Sequence, residues 1–322
     1  VNSFDIAISS LTSIPVLAFA LGVIASRLKA DMSISKSAVE IISFVLLLAI
    51  GLKGGFALQK TGLQGSGLPI ATTLVLGSLI PLIAFGLLKL VRHLSLVDRG
   101  SIAAHYGSTS LVTFTAALVF LENSKIEYEG LVTTLLVVME VPGLLIGILL
   151  ARGGLSALKD KELLKEVFFG KTVLLLLGGV VMGYIAGPKG YVSVKTLFVD
   201  AQPGLLTLFL LTLGIQAGNN FKHFRSLGSL LVVFAIAMPL IGGALGAFAG
   251  AAIGLSVGGS TALAVLCASA SYIAAPAAVS IALPTANRSV PITASLGITF
   301  PFNLLIGLPL YFWLAQTFAN VI

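Results

Sequence analysis

Apolar runs of about 20 residues, long enough for a helix to cross the hydrocarbon of a bilayer, follow one another along the whole chain, and nearly every charge falls between them. They lie near 11–26, 36–59, 69–91, 100–121 and 131–151, then near 167–187, 201–218, 226–253, 257–282 and 290–319. Backbone inside lipid must satisfy its own hydrogen bonds, which for a run of this kind means a helix. The expected fold class is therefore an all-α polytopic membrane protein with ten transmembrane helices. Composition agrees: 10% of the 322 residues are charged, where a soluble domain carries about 25%, and the mean hydropathy is +1.08. The 35 Gly and 12 Pro sit inside apolar runs rather than in polar linkers, which excludes disordered and collagen-like chains.

The positive charges are placed unevenly. Of the 19 Lys and Arg, 14 fall in the odd-numbered connections: Arg27, Lys29, Lys36, Lys89, Arg92, Arg99, Arg152, Lys159, Lys161, Lys165, Lys171, Lys222, Arg225 and Arg288. The even connections hold Lys60, Lys125, Lys189 and Lys195. Basic loops stay in the cytoplasm, so both termini are expected outside and the 152–170 connection inside. The net charge of +7 then reports orientation. No basic patch with interleaved aromatics suggests nucleic acid, and the single Cys267 forms no intrachain disulfide and belongs to no zinc-type cluster.

Two weak echoes suggest an internal duplication. Ile50-Gly51-Leu52-Lys53-Gly54-Gly55-Phe56 is answered 163 residues later by Leu213-Gly214-Ile215-Gln216-Ala217-Gly218-Asn219. Leu144-Leu145-Ile146-Gly147, after Pro142, returns 160 residues later as Leu304-Leu305-Ile306-Gly307, after Pro301. Five spans per half is an odd number, so the second half enters the membrane from the opposite side. The expectation is a 5+5 inverted repeat: residues 1–151, a cytoplasmic connection over 152–170, and residues 171–322. Leu155, Leu158, Leu163 and Leu164 interleaved with lysines make the connection either a short amphipathic interfacial helix or a solvated loop.

A helix inside hydrocarbon can be interrupted only beside a cavity or buried protein. The fourth run carries His105-Tyr106-Gly107-Ser108-Thr109-Ser110 in mid-span, and the ninth carries Ala268-Ser269-Ala270-Ser271-Tyr272-Ile273-Ala274-Ala275-Pro276. Spans 4 and 9 are thus expected to be interrupted, crossing helices whose breaks meet at the midplane. Ser108 and Ser271 are again 163 apart. A half-helix that begins inside the membrane offers free N–H groups and a positive dipole end, and hydroxyls add donors without charge. The candidate substrate-binding residues are Gly107, Ser108, Thr109, Ser110, Ser269, Ala270, Ser271 and Tyr272, the ligand a small planar anion. Either segment alone reads equally as small residues for close packing; occurrence in both halves favours the anion cradle.

Two ionisable residues lie within runs, where charge is costly. Glu140, in Met139-Glu140-Val141-Pro142, is expected to offer a carboxylate to a cation or a proton, the alternative being a structural ion pair. Lys53 either pairs with Glu140, attracts an anion, or forms a structural pair near the membrane surface. Thr293, Ser295, Thr299 and Asn303 recur at helical spacing in the tenth run and, with Glu140, form a candidate sodium site; interhelical hydrogen bonding accounts for them equally. Gly242, Gly246, Gly250 and Gly254 mark a packing stripe. There is no HExxH segment, no catalytic Asp pair and no Walker motif. His105 reads as a hydrogen-bonded helix residue rather than a base. An enzyme is not expected, and uphill transport would draw on an ion gradient.

The segments Ala49 to Gly55, Gly107-Ser108-Thr109, Met139-Glu140-Val141-Pro142, Ser269-Ala270-Ser271, Leu283-Pro284-Thr285-Ala286-Asn287 and Leu314-Ala315-Gln316-Thr317 resemble, in order, the sodium-dependent bicarbonate transporter family best known from cyanobacteria. The resemblance implies a sodium-coupled symporter with gate and core regions, in the inner membrane of a bacterium, assembled as a homotrimer. It places bicarbonate at Gly107, Ser108, Thr109, Ser269, Ala270 and Ser271, and it implies no cofactor beyond sodium as coupling ion. Those relatives carry Asp at the positions of Tyr272 and Glu140, and Ser at that of Ala270. They bind a PII-like regulator; the shorter connection between the halves argues against that partner here. A proton-coupled carrier of a small organic anion and a passive anion channel stay open as alternatives.

Overall fold

The computed structural model describes residues 12–30, 32, 34–62, 65–154, 158–220 and 227–322, and no strand occurs among them. The helices are α1 (Ile14–Arg27), α2 (Lys36–Thr61), α3 (Gly67–Leu88), α4 (Leu96–Gly107), α5 (Leu111–Asn123), α6 (Val132–Arg152), α7 (Lys161–Phe169), α8 (Lys171–Ser193), α9 (Gln202–Asn220), α10 (Ser229–Ala252), α11 (Val257–Ala268), α12 (Ala274–Ala282) and α13 (Ser289–Val321). Each apolar run is therefore helical. Seven stretches among the described residues are long and apolar enough to cross a membrane: Lys36–Lys60, Gly67–Leu88, Leu96–Asn123, Val132–Arg152, Lys171–Ser193, Ser229–Ala252 and Ser289–Val321. The first residue of the first run and the charges Lys222 and Arg225 lie outside the described residues.

Polar residues set where helices begin, because the first N–H groups of a helix have no internal partner. Ser35 accepts the N–H of Ala38, Ser95 that of Asp98, Ser110 that of Thr113, Asp160 that of Leu163 and Ser256 that of Gly259. Two of these capped starts, at Ser95 and Ser256, open the helices that lead into the breaks.

Packing divides the helices into two groups. In one, α1 lies along α9 and α2 along α8, and α2 also touches α9. Gly51 meets Gly179, and Gly22 meets the backbone around Gly214, with no space for a Cβ at either glycine. In the other group, α3, α4 and α6 pack together, as do α10, α11 and α13. Gly242, Gly246 and Gly250 bring α10 against the backbone of α11. Gly254 is not part of that stripe: it follows the helix at φ 79°, facing open space.

In the 152–170 connection, Leu163 and Val167 of α7 are buried in a cluster with Ala278, Val279 and Ala282 of α12, whereas Leu158, Phe168 and Phe169 are exposed; Leu155 lies outside the described residues. Arg152 clasps the same corner. It donates through Nε and Nη2 to the carbonyl of Ala282, the last residue of α12, and through Nη2 to Asp160 at 2.8 Å. Asp160 is held below the ordinary carboxylate range first by the N–H of Leu163 and then by Arg152.

Candidate functional site

The fourth and ninth runs are both interrupted where hydroxyl residues replace apolar ones. α4 ends at Gly107, Ser108 is extended, and α5 starts after Ser110; α11 ends at Ala268, Ser269 is extended, and α12 starts after Ile273. The two breaks bond to each other. Ser271 N–H donates to the carbonyl of His105 at 2.7 Å, and Ser110 N–H donates to Ser269 Oγ at 2.9 Å. Ser110 Oγ donates to Tyr272 Oη at 3.2 Å while accepting the N–H of Thr113. Ser271 Oγ accepts the N–H of Ala275, in the role of a cap for α12. Each break thus supplies partners that the other lacks, which is how non-helical backbone survives in a dry interior.

Two side chains are left over. Ser108 Oγ and Thr109 Oγ1 have no hydrogen-bond partner, although Ser108 is 1% exposed and Thr109 4%. Buried polar atoms are normally paired, so each orphan hydroxyl is a donor awaiting an acceptor. Thr109, Ser110, Leu111, Ser271, Tyr272 and Ala274 line one inner cavity of about 10 Å³, with Glu140 in its wall. Leu111 and Ala274 are the first residues of α5 and α12, so two helix N-termini open on the same space, the N–H of Thr113 being taken by Ser110 and that of Ala275 by Ser271. A wider vestibule of about 330 Å³ adjoins it, bounded by Glu40, Glu166, Lys171 and Gln216 among others. Ser43, Glu140, Thr172, Tyr272, Ile273 and Ala274 belong to both cavities and form the neck between them.

The remaining expected residues take other places. Gly107 is a packing position: a Cβ there would meet Gly143 and Pro81. Ser269 and Ala270 are buried behind the cavity, Ser269 Oγ donating to Leu266 O at 3.0 Å. Glu140 is 2% exposed and faces the cavity from α6. Thr293, Ser295, Thr299 and Asn303 are buried on α13, but none lines the neck with Glu140. Ser295 bonds back to Pro291 O. Thr299 Oγ1 donates to Ala235 O at 2.6 Å and so accepts from Tyr106 Oη at 2.7 Å. Asn303 donates to Ala268 O, the last carbonyl of α11, and accepts from Tyr311. Thr299 and Asn303 thus tie α13 to α4, α10 and α11.

Lys53 pairs with Glu122, not with Glu140, and sits 5.7 Å from the centre of the Tyr128 ring. Tyr128 donates to the same carboxylate oxygen, and its phenol is pushed up by burial and by the Glu122 charge. His105 Nδ1 lies 2.8 Å from Ser101 O, as a helix histidine. The sequence reading missed Ser43, Thr172 and Gln216, single polar residues with no spacing pattern to announce them.

Membrane-length helices packed around two mutually bonded breaks define a multi-pass membrane protein with a polar centre. The chain belongs to the Na+-dependent bicarbonate transporter superfamily, whose profile matches residues 15–316. No curated protein matches it. Membership makes the protein a transporter by family, in keeping with a centre built from donors and one carboxylate rather than from a nucleophile and its base.

Proposed function

We propose that the chain is a symporter importing a small monoanion, bicarbonate, together with sodium, and that the cavity at the N-termini of α5 and α12 is where the anion binds. The carrying observation is the orphan hydroxyl of Thr109, buried without a partner in the wall of the cavity on which the first residues of α5 and α12 open. Bicarbonate adds one negative charge and oxygens that accept from this hydroxyl, with both helix dipoles favouring the anion. Glu140 supplies the opposite requirement. A buried carboxylate beside an anion site is tolerable when a cation lies between them, and sodium takes oxygen ligands of this kind.

In this reading the chain crosses the membrane ten times as two five-span halves of opposite orientation. The packing supports it: α1 with α9 and α2 with α8 are equivalent pairs under such symmetry, and the trio α3, α4, α6 corresponds to α10, α11, α13. The positive-inside bias of the basic connections supports a vestibule that opens to the cytoplasm, and the membrane in this reading is a bacterial inner membrane. An inner cavity of about 10 Å³, room for one water, favours a carrier over an open channel. A trimer is the expected assembly.

Labelled-bicarbonate uptake into proteoliposomes, with and without an inward sodium gradient, tests the function. Uptake that ignores sodium removes the coupling; uptake driven by a proton gradient instead transfers it to protons at Glu140. Cysteines at Lys165 and Ser193, in a Cys267-free background, should label from opposite sides. Labelling of both from outside the cell would overturn the topology.

A further inference from the structure

Tyr272 occupies an unusual position between the two cavities. It lines the vestibule and the inner cavity alike, whereas Thr109, Ser110 and Ser271 line only the inner one. Its phenol reaches across the neck from the break before α12 to Ser110 at the head of α5, and its ring rests edge-on against Phe300 at 5.5 Å. Of the six neck residues it is the only aromatic one and the only one hydrogen-bonded to the opposite break. Behind it the inner cavity is about 10 Å³ against about 330 Å³ in front. That inner volume suits one water, and a planar anion of four heavy atoms does not fit while the phenol stays in place.

The bond to Ser110 suits a reversible bar. Ser110 is the donor, so the phenolic hydrogen of Tyr272 is left for another acceptor. Release therefore costs one neutral hydrogen bond at 3.2 Å, among the weaker kind. A swung-out Tyr272 can donate to an arriving anion without bringing charge into the neck. The edge contact with Phe300 gives the ring a wall to return to.

We propose that Tyr272 is the gate and size filter of the cradle, a phenol bar that must leave Ser110 before an anion can pass from the vestibule to the ends of α5 and α12. The inference rests on the reading of the inner cavity as an anion site, but its closure can be measured without any substrate. Thr109→Cys in a Cys267→Ala background places a thiol behind the bar, at a residue whose hydroxyl holds nothing in the fold. A small methanethiosulfonate should label it slowly with Tyr272 present, severalfold faster with Tyr272→Phe, which loses only the tether, and at least tenfold faster with Tyr272→Ala. Ala277→Cys, in the vestibule, should label alike in all three. Equal labelling of Thr109→Cys in all three backgrounds overturns the gate. Should Tyr272→Ala not yield monodisperse protein, the Phe variant alone decides it.

A second arm reads selectivity, as thermal stabilisation by formate, bicarbonate, acetate and propionate. Tyr272→Ala should extend binding to the larger carboxylates, and an unchanged cut-off overturns the size filter. If labelling follows the expected order and no anion stabilises any variant, the gate stands and the anion-site reading falls.

Discussion

Replacing Thr109 by Val removes one hydroxyl and keeps the side chain's shape. In the wild type that hydroxyl is buried without a partner, a condition that costs about 1–3 kcal/mol. The variant should therefore unfold at the same temperature as the parent or above it. Anion binding should move the other way. One hydrogen bond to a charged ligand contributes about 1.5–3 kcal/mol, which at about 1.4 kcal/mol per decade is an affinity loss of about 10- to 150-fold. Titrating the thermal shift with bicarbonate in the presence of sodium gives both quantities on one sample, and uptake in proteoliposomes checks the functional consequence. Ser110→Ala is the contrast. It strips the cap from Thr113 and the tether from Tyr272, so it should lose about 1 kcal/mol of stability. A Thr109→Val protein that is less stable than wild type and binds bicarbonate equally well would refute the assignment of that hydroxyl to a ligand.

A Ser108→Asp/Ser271→Asp double variant puts a carboxylate into each break, one of them in the wall of the inner cavity, so bicarbonate uptake should vanish in protein that still elutes as the assembled species; normal uptake would place the substrate elsewhere. Gly143→Ala drives a Cβ into the backbone of Gly107 and should cost about 1–3 kcal/mol of stability by overpacking, read as a fall in Tm, whereas Gly178→Ala, which meets nothing within 4 Å, should leave Tm unchanged or raised. Asp160, held below the ordinary carboxylate range, stabilises the folded state above that range, and the contribution is lost as pH falls through its lowered folded value. Wild type should therefore outlast Asp160→Asn in thermal unfolding at pH 7, with the gap closing at a pH below about 4; a gap independent of pH would show that the clasp does not act through this charge.

The breaks were legible because a glycine and successive hydroxyls cannot belong to a lipid-facing helix without a reason. The same signal does not separate packing from binding. Gly107 stands out in sequence yet serves packing, since a glycine that admits a neighbouring backbone looks like one that admits a ligand. Thr293, Ser295, Thr299 and Asn303 share a spacing that suggests one ligand set, but α13 contains π turns at Ser295–Thr299 and Asn303–Gly307. A wider turn shifts the register of every later side chain, and Thr299, Asn303 and Ser295 bond to Ala235, Ala268 and their own helix respectively. Partners far apart in sequence were invisible for another reason. Lys53 with Glu122, or Arg152 with Ala282, are pairs that no periodicity links, and only packing brings them together.

The exchange of hydrogen bonds between the breaks constrains how the chain can be made. Ser110 and its partner Ser269 are 159 residues apart, and at about 5–20 residues per second the ribosome needs roughly 8–30 s to supply the second after the first. For that interval the carbonyl of His105 and the N–H of Ser110 lack their partners across the breaks, and lipid offers none. The α4–α5 segment must therefore wait in a water-accessible place or as a continuous helix, and break only when the ninth run arrives. A nascent chain halted before residue 269 carries a first half that cannot close its own centre, which marks it for membrane quality control well before any transport activity exists to be lost.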